Sequence, residues 1–439
     1  MKILILSASH PLKAAGIVAY DLLKGLSSIN ENEVRILVRD WDKYDDRRII
    51  PIETTLRHYW NVIFRLYKKI KREILRTMFR GKKINSNFEK DYIFEHQISK
   101  TFYSTNVILK RAGFKPDVIL VLFMPAFISF KNLYELNKLT GAPVFLYPLD
   151  MAPFTGGCHY AWDCLNYQTI CGKCPALFSN QVNDLANSNF TYKKRYIEQM
   201  DVELIAATEE LFKQISKSSL FQKSKLHKGL IPIDCELFQP ADKFKIRHEI
   251  GIPVNKKIIF TGAVLLKERR KGLNELIEAL NYLYNNIENE YKNNIHIIIA
   301  GTQHENMEKT IPFPYSFMGY LTIKELSRLF QASDIFVSPS IEDSGPMMIN
   351  QSIMCGTPVV AFEIGVALDL VITGKTGYRA KHKDSTDLAK GINFLLKMNE
   401  KEYNIMSNNC RELGLKLCHP QIQSKKFIEL FEELMDTKQ

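Results

Sequence analysis

Residues 334–361 read DIFVSPSIEDSGPMMINQSIMCGTPVVA, and two features in them could act on one ligand. Glu342 lies just beyond a short apolar run, 334–337, of buried-strand character. Gly345-Pro346 is a tight turn opening a helix-like stretch, Met347 to Cys355, before a second apolar run, 357–362. Backbone amides at a helix start favour phosphate, and glycine lets them approach it closely. A carboxylate repels phosphate but accepts hydrogen bonds from sugar hydroxyls. The amides of Gly345 to Met348 and the carboxylate of Glu342 therefore suit a ligand anionic at one end and hydroxyl-rich at the other, as a nucleotide-sugar is.

A cationic counterpart lies upstream. The run Lys257 to Thr261 is followed by Gly262 and then by Lys267-Glu268-Arg269-Arg270-Lys271-Gly272. Strand, glycine, basic loop and helix start make a diphosphate cradle, with Arg270 and Lys271 as its cations. The alternative is a solvated loop. Four cysteines, Cys158, Cys164, Cys171 and Cys174, crowd residues 150–178. Their spacing, C-x5-C-x6-C-x2-C, has one zinc-knuckle pair and allows a structural zinc site with His159 as a substitute ligand. Four reduced thiols or disulfides are the alternatives. Asp40-Trp41-Asp42 has the form of a metal-binding Asp-x-Asp, but such short patterns recur by chance and a polar loop at a strand end explains it.

The elements that position these groups follow from hydrophobic periodicity. Apolar runs at 2–9, 33–39, 117–123, 143–147, 257–261, 295–300, 334–337 and 357–362 read as buried strands, and helical stretches alternate with them. That alternation predicts α/β architecture with parallel sheets. At 439 residues two domains are expected. A Pro-punctuated linker, GLIPIDCELFQP at 229–240, sets the expected division: 1–238, 239–410, and a helical tail, 411–439, crossing back to the first domain.

Net charge is +11, from 59 basic and 48 acidic residues. Between Arg57 and Lys83 there are ten Lys/Arg and one acid, Glu73. With apolar and aromatic residues at three-and-four spacing, 56–83 reads as an amphipathic basic helix, fitted either to an anionic membrane surface or to its own domain. Nucleic acid is a poor partner, since no recognition fold accompanies the charge. With no signal peptide and no long apolar run, the chain is read as cytoplasmic, peripheral on the inner membrane face if the basic helix binds lipid.

The 334–361 stretch resembles the donor-site signature of glycosyltransferase family 4, whose members have the two-domain GT-B fold. Glu342, Gly356, Pro358, Val359 and Val360 carry the match. Eight positions beyond Glu342 the family's second Glu, which binds ribose, becomes Asn350. The segment TGGCHY with its following cysteines resembles a polysaccharide-building branch of the same family, and IDxxxFxP recurs at the linker. The likeness covers nearly the whole chain, most weakly 43–115. It implies two Rossmann-like domains facing across a cleft, with the loop at Gly16 near the donor phosphates. Gly16, Gly262, Arg270, Lys271, Glu342, Gly345, Pro346, Met347, Met348 and Asn350 would bind the donor. Glu342, Asp150 and Lys271 would be catalytic, Asp150 because the adjacent family His is Leu149 here; the family's Arg after Gly262 is Ala263. The expected activity moves a sugar from a nucleotide-diphosphate-sugar to a polysaccharide or lipid-linked acceptor, with retention and no cofactor in the chemistry. A different GT-B enzyme, or a non-catalytic sugar-nucleotide-binding relative, is the alternative.

Overall fold

A computed structural model of the chain describes residues 1–13, 16–39, 42–53, 92–302, 310–345 and 347–436. The expected basic helix at 56–83, Asp40, Trp41 and Pro346 lie outside the described residues.

Two parallel sheets organise the rest. The first contains β1 Lys2–Ser7, β2 Glu33–Val38, β3 Ile49–Pro51, β4 Val118–Phe123, β5 Val144–Leu146, β6 Val202–Ala206 and β7 Leu226–Lys228, in the order β3-β2-β1-β4-β5-β6-β7. The second contains β8 Lys257–Leu265, β9 Ile295–Thr302, β10 Tyr315–Phe317, β11 Ile335–Ser338, β12 Val359–Phe362 and β13 Gly377–Ala380, in the order β10-β9-β8-β11-β12-β13. Every pairing is parallel, from Lys2 opposite Glu33 to Phe362 opposite Ala380. Parallel strands are covered on both faces, which is why their sequences are continuous apolar runs; Ile3 to Leu6 are fully buried.

The order of each sheet reverses once, between β1 and β4 in the first and between β8 and β11 in the second. At such a point the two flanking crossovers go to opposite faces and leave a crevice beyond the strand ends. The two crevices face each other, so the chain segments after β1, β4, β8 and β11 meet in one cleft.

The last helix, Pro420–Asp436, belongs to the first sheet's packing. Its Phe427 and Phe431 lie against Tyr147 and Phe145, with ring centroids 5.2 and 4.7 Å apart. Two inter-domain ties lie beside the linker and the cleft. Lys24 Nζ donates to Asp234 Oδ2 of the linker at 3.1 Å, and Thr208 Oγ1 donates to the Ser344 carbonyl at 2.8 Å. Among the described residues no helix is long and apolar enough to cross a membrane.

Candidate active site

The inter-domain cleft has a volume of about 630 Å³. From the first domain it is lined by Leu12, Lys13, Ile17, Phe123, Leu149, Asp150 and Tyr160. From the second come Gly262, Ala263, Arg270, Lys271, Asp343, Gly345, Met347, Met348 and Gln351. Most of the predicted donor residues thus converge, and the exceptions are instructive.

The cations are set by the turn before helix Leu273–Asn286. Gly272 closes that turn at φ +69°, and a Cβ there would lie 1.7 Å from the Pro339 carbonyl oxygen. Only glycine combines that conformation with so close a backbone approach. The turn delivers Arg270 and Lys271 into the cleft. Arg269 turns away, paired with Glu275 at 2.5 Å. Lys271 Nζ donates to Asp343 Oδ2 at 2.5 Å, and Arg270 donates to the same oxygen at 3.0 Å. A second Arg270 nitrogen meets Glu268 Oε2 at 2.7 Å. Burial alone would push the Asp343 carboxyl up, but Lys271 and Arg270 hold it below the usual carboxylate range. The guanidinium of Arg270 also stacks over the Tyr160 ring of the opposite domain, 4.5 Å from its centroid.

Three expectations need correction. Glu342 does not line the cleft; its neighbour Asp343 does. Glu342 sits at the domain interface, where burial first, then the charges of Glu210 and Asp343, push its carboxyl up to about 7. Asn350 is fully buried and its amide donates to Cys418 Sγ at 3.5 Å, away from the cleft. Gln351 takes the cleft-facing place, and its Oε1 is buried without a hydrogen-bond partner. Gly16 supports the cleft from behind. A Cβ there would lie 2.1 Å from the His10 carbonyl, so glycine is needed for the turn that aims Leu12 and Lys13 inward.

Asp150 stands on the first domain's side of the cleft. Its Oδ1 accepts from the Ala152 amide at 2.8 Å and its Oδ2 meets His159 Nδ1 at 2.8 Å. Burial pulls the His159 pKa down, but Asp150's charge and hydrogen bond outweigh it and leave it above the ordinary value. Behind Asp150 a second, small cavity of about 40 Å³ is lined by Phe102, Leu122, Met124, Ile128 and Phe130 together with Glu95, Lys100 and Lys193. Lys13 and Gln351 were missed in the sequence, though Lys13 carried a readable signal as the one basic residue in the loop after β1.

The four loop cysteines line one small cavity. Among the described residues, no three His, Cys, Asp or Glu groups are gathered so as to hold a metal ion as they stand.

Residues 242–413 match the family of glycosyl transferases group 1. That stretch carries Gly262, Arg270, Lys271, Asp343 and Gln351, the second domain's share of the cleft. It is a glycosyl transferases group 1 domain. The whole chain superposes on sucrose-phosphate synthase from Thermosynechococcus elongatus with a TM-score of 0.69 at 14% identity, covering 99% of both chains. It superposes on Anabaena HepE in complex with UDP-glucose with a TM-score of 0.60 at 14% identity, covering 99% of this chain and 100% of that one. The fold is therefore GT-B, with the group 1 domain as its second half. In sequence the chain is 26% identical over 178 residues to D-inositol 3-phosphate glycosyltransferase of Pseudarthrobacter chlorophenolicus, 37% of this chain and 40% of that relative. The chain spans about half the length of the curated relatives it matches.

Proposed function

We propose that this chain is a glycosyltransferase that moves a sugar from a nucleotide-diphosphate-sugar to a saccharide acceptor. The observation that carries the reading is the cleft-facing pair Arg270 and Lys271, held on Asp343 where two sheet switch points meet. In the free protein Asp343 neutralises the cations. A donor diphosphate would take its place, with the amides of Gly345, Met347 and Met348 alongside and Lys13 facing it from the first domain. Gln351 Oε1, with no partner of its own, suits a ribose hydroxyl, which donates. Charge developing on the leaving diphosphate is met by cations fixed before the reaction begins, worth several kcal/mol in a closed cleft. That arrangement supports a metal-independent step, and the family likeness supports retention.

Asp150, oriented by His159, is the polar group nearest the acceptor side. The family likeness supports a lipid-linked oligosaccharide of envelope polysaccharide synthesis as the acceptor. Such an acceptor would place the enzyme on the inner face of a membrane, with the segment 56–83 as the contact.

The test is nucleoside-diphosphate release from a panel of nucleotide-sugars, with wild type beside Lys271→Ala. Slow hydrolysis of one donor, lost in the variant, supports the reading. Tight donor binding without release would favour a non-catalytic sugar-nucleotide-binding protein. No binding of any donor would sink both.

A further inference from the structure

We infer that Cys158, Cys164, Cys171 and Cys174 form a tetrathiolate zinc site that holds Tyr160 against Arg270. The stretch between β5 and the helix Leu185–Ile197 contains only three short 3₁₀ turns, at Ala152–Phe154, Asn166–Gln168 and Pro175–Leu177. A segment of that length inside a compact domain, without regular structure, needs something to order it. It also keeps non-glycine residues in the left-handed region, Trp162 at φ 52°, Lys173 at φ 45° and Phe178 at φ 50°. Such conformations persist only where the surroundings over-determine them. Yet this loop carries Asp150 and Tyr160 to the cleft.

Three features point to a metal. All four cysteines line a cavity of about 20 Å³. That is room for about one water-sized occupant, hence one ion and not a cluster. Backbone N–H groups are aimed at three of the sulfurs: Gly156 at Cys171, 3.1 Å away, Asn166 at Cys164, and Ala176 and Leu177 at Cys174. Donors directed at sulfur are the outer shell a metal-bound thiolate takes. Lys193 is buried beside this loop with its ammonium on the Ala152 and Thr155 carbonyls. A buried cation without a carboxylate in contact is costly. Next to a tetrathiolate zinc centre, which carries two negative charges, it is a counter-ion.

Cys158 and Cys174 hydrogen-bond to each other. Zinc binding replaces that contact with Zn–S bonds, and the thiol protons leave to solvent. The chemistry needs no oxidant, whereas a disulfide would.

The test is metal analysis of the full chain purified without chelator from zinc-supplemented culture. The expected result is about one zinc ion per chain, retained through dialysis. Zinc below about a tenth of an equivalent, iron in its place, or loss of two titratable thiols on denaturing alkylation would each overturn the site. Metal content does not depend on the proposed reaction, so the two readings fail separately. The positioning role has its own readout. Zinc-stripped wild type should be cut by trypsin after Lys173, which lies exposed between Cys171 and Cys174, and regain protection when zinc alone is returned. Equal cleavage with and without zinc would overturn that role.

Discussion

Asp343→Asn separates a diphosphate clamp from an ordinary buried ion network. Asp343 is buried and its Oδ2 serves Lys271 at 2.5 Å and Arg270 at 3.0 Å. Removing its charge strands Lys271 and leaves Arg270 on Glu268 alone, and breaking a buried pair costs about 3–5 kcal/mol. For a unit of 150–250 residues, at about 2–4 °C per kcal/mol, the melting temperature should fall by roughly 6–20 °C. An incoming phosphate sharing Lys271 would approach the wild-type carboxylate to about 5–6 Å, a repulsion of about 3 kcal/mol per charge at an effective dielectric of 20. The variant loses that repulsion. It should bind nucleoside diphosphate at least about tenfold more tightly than wild type, since each 1.4 kcal/mol is tenfold. Saturating nucleotide should then restore most of the lost melting temperature. Calorimetric titration and thermal melts with and without nucleotide measure both. Affinity that is unchanged or weaker, with no thermal rescue, would refute Asp343 as the anion's stand-in.

Glu342→Gln should change the pH dependence of stability. Its carboxyl is raised from an ordinary 4.5 to about 7. Between those values the folded state holds a proton that the unfolded state has lost, so stability falls as pH rises through the window, by on the order of 3 kcal/mol in all. The variant should melt higher than wild type above pH 7, with a flatter profile from pH 5; Asp21, also pushed up to about 7, contributes equally to both proteins. Parallel profiles would remove the argument. Gln351→Leu should weaken nucleotide binding about three- to tenfold, the worth of one neutral hydrogen bond, whereas Asn350→Leu should leave it within about twofold; equal effects in titration would reject the assignment of Gln351 to the cleft. Gly272→Ala should lower stability by more than about 3 kcal/mol, since backbone must move as well as strain; a melting temperature within a degree of wild type would contradict the turn geometry.

Much of this site was legible in the residues because strand and turn chemistry are local. The apolar runs of β1, β4, β8 and β11 announced themselves, and the loops after them are the cleft. The misplacements were single-residue errors with large angular consequences. One residue along a helix is about 100° of rotation, so counting to Asn350 instead of Gln351 turns the side chain from the cleft to Cys418. Glu342 and Asp343 are adjacent in a loop where nothing in the pattern says which faces inward; the cations two elements away decide it. The strands β3 and β7, of three residues each, escaped the pattern because edge strands that short carry no periodicity, whereas β6, five buried residues inside the sheet, was legible as an apolar run and was passed over. Tyr160 under Arg270 joins two domains, and no local rule reaches that far.

The return of the last helix to the first domain has a consequence for synthesis. Tyr147 and Phe145 are buried partly by Phe427 and Phe431, so this face of the first sheet cannot close when its own strands are complete. About 200 residues separate β7 from the end of that helix. At ~5–20 residues per second the face waits roughly 10–40 s for its cover. The second domain, translated in between, finishes first. The half of the protein that begins the chain is therefore the last to be sealed, and its unsealed aromatic face is the surface a chaperone would meet.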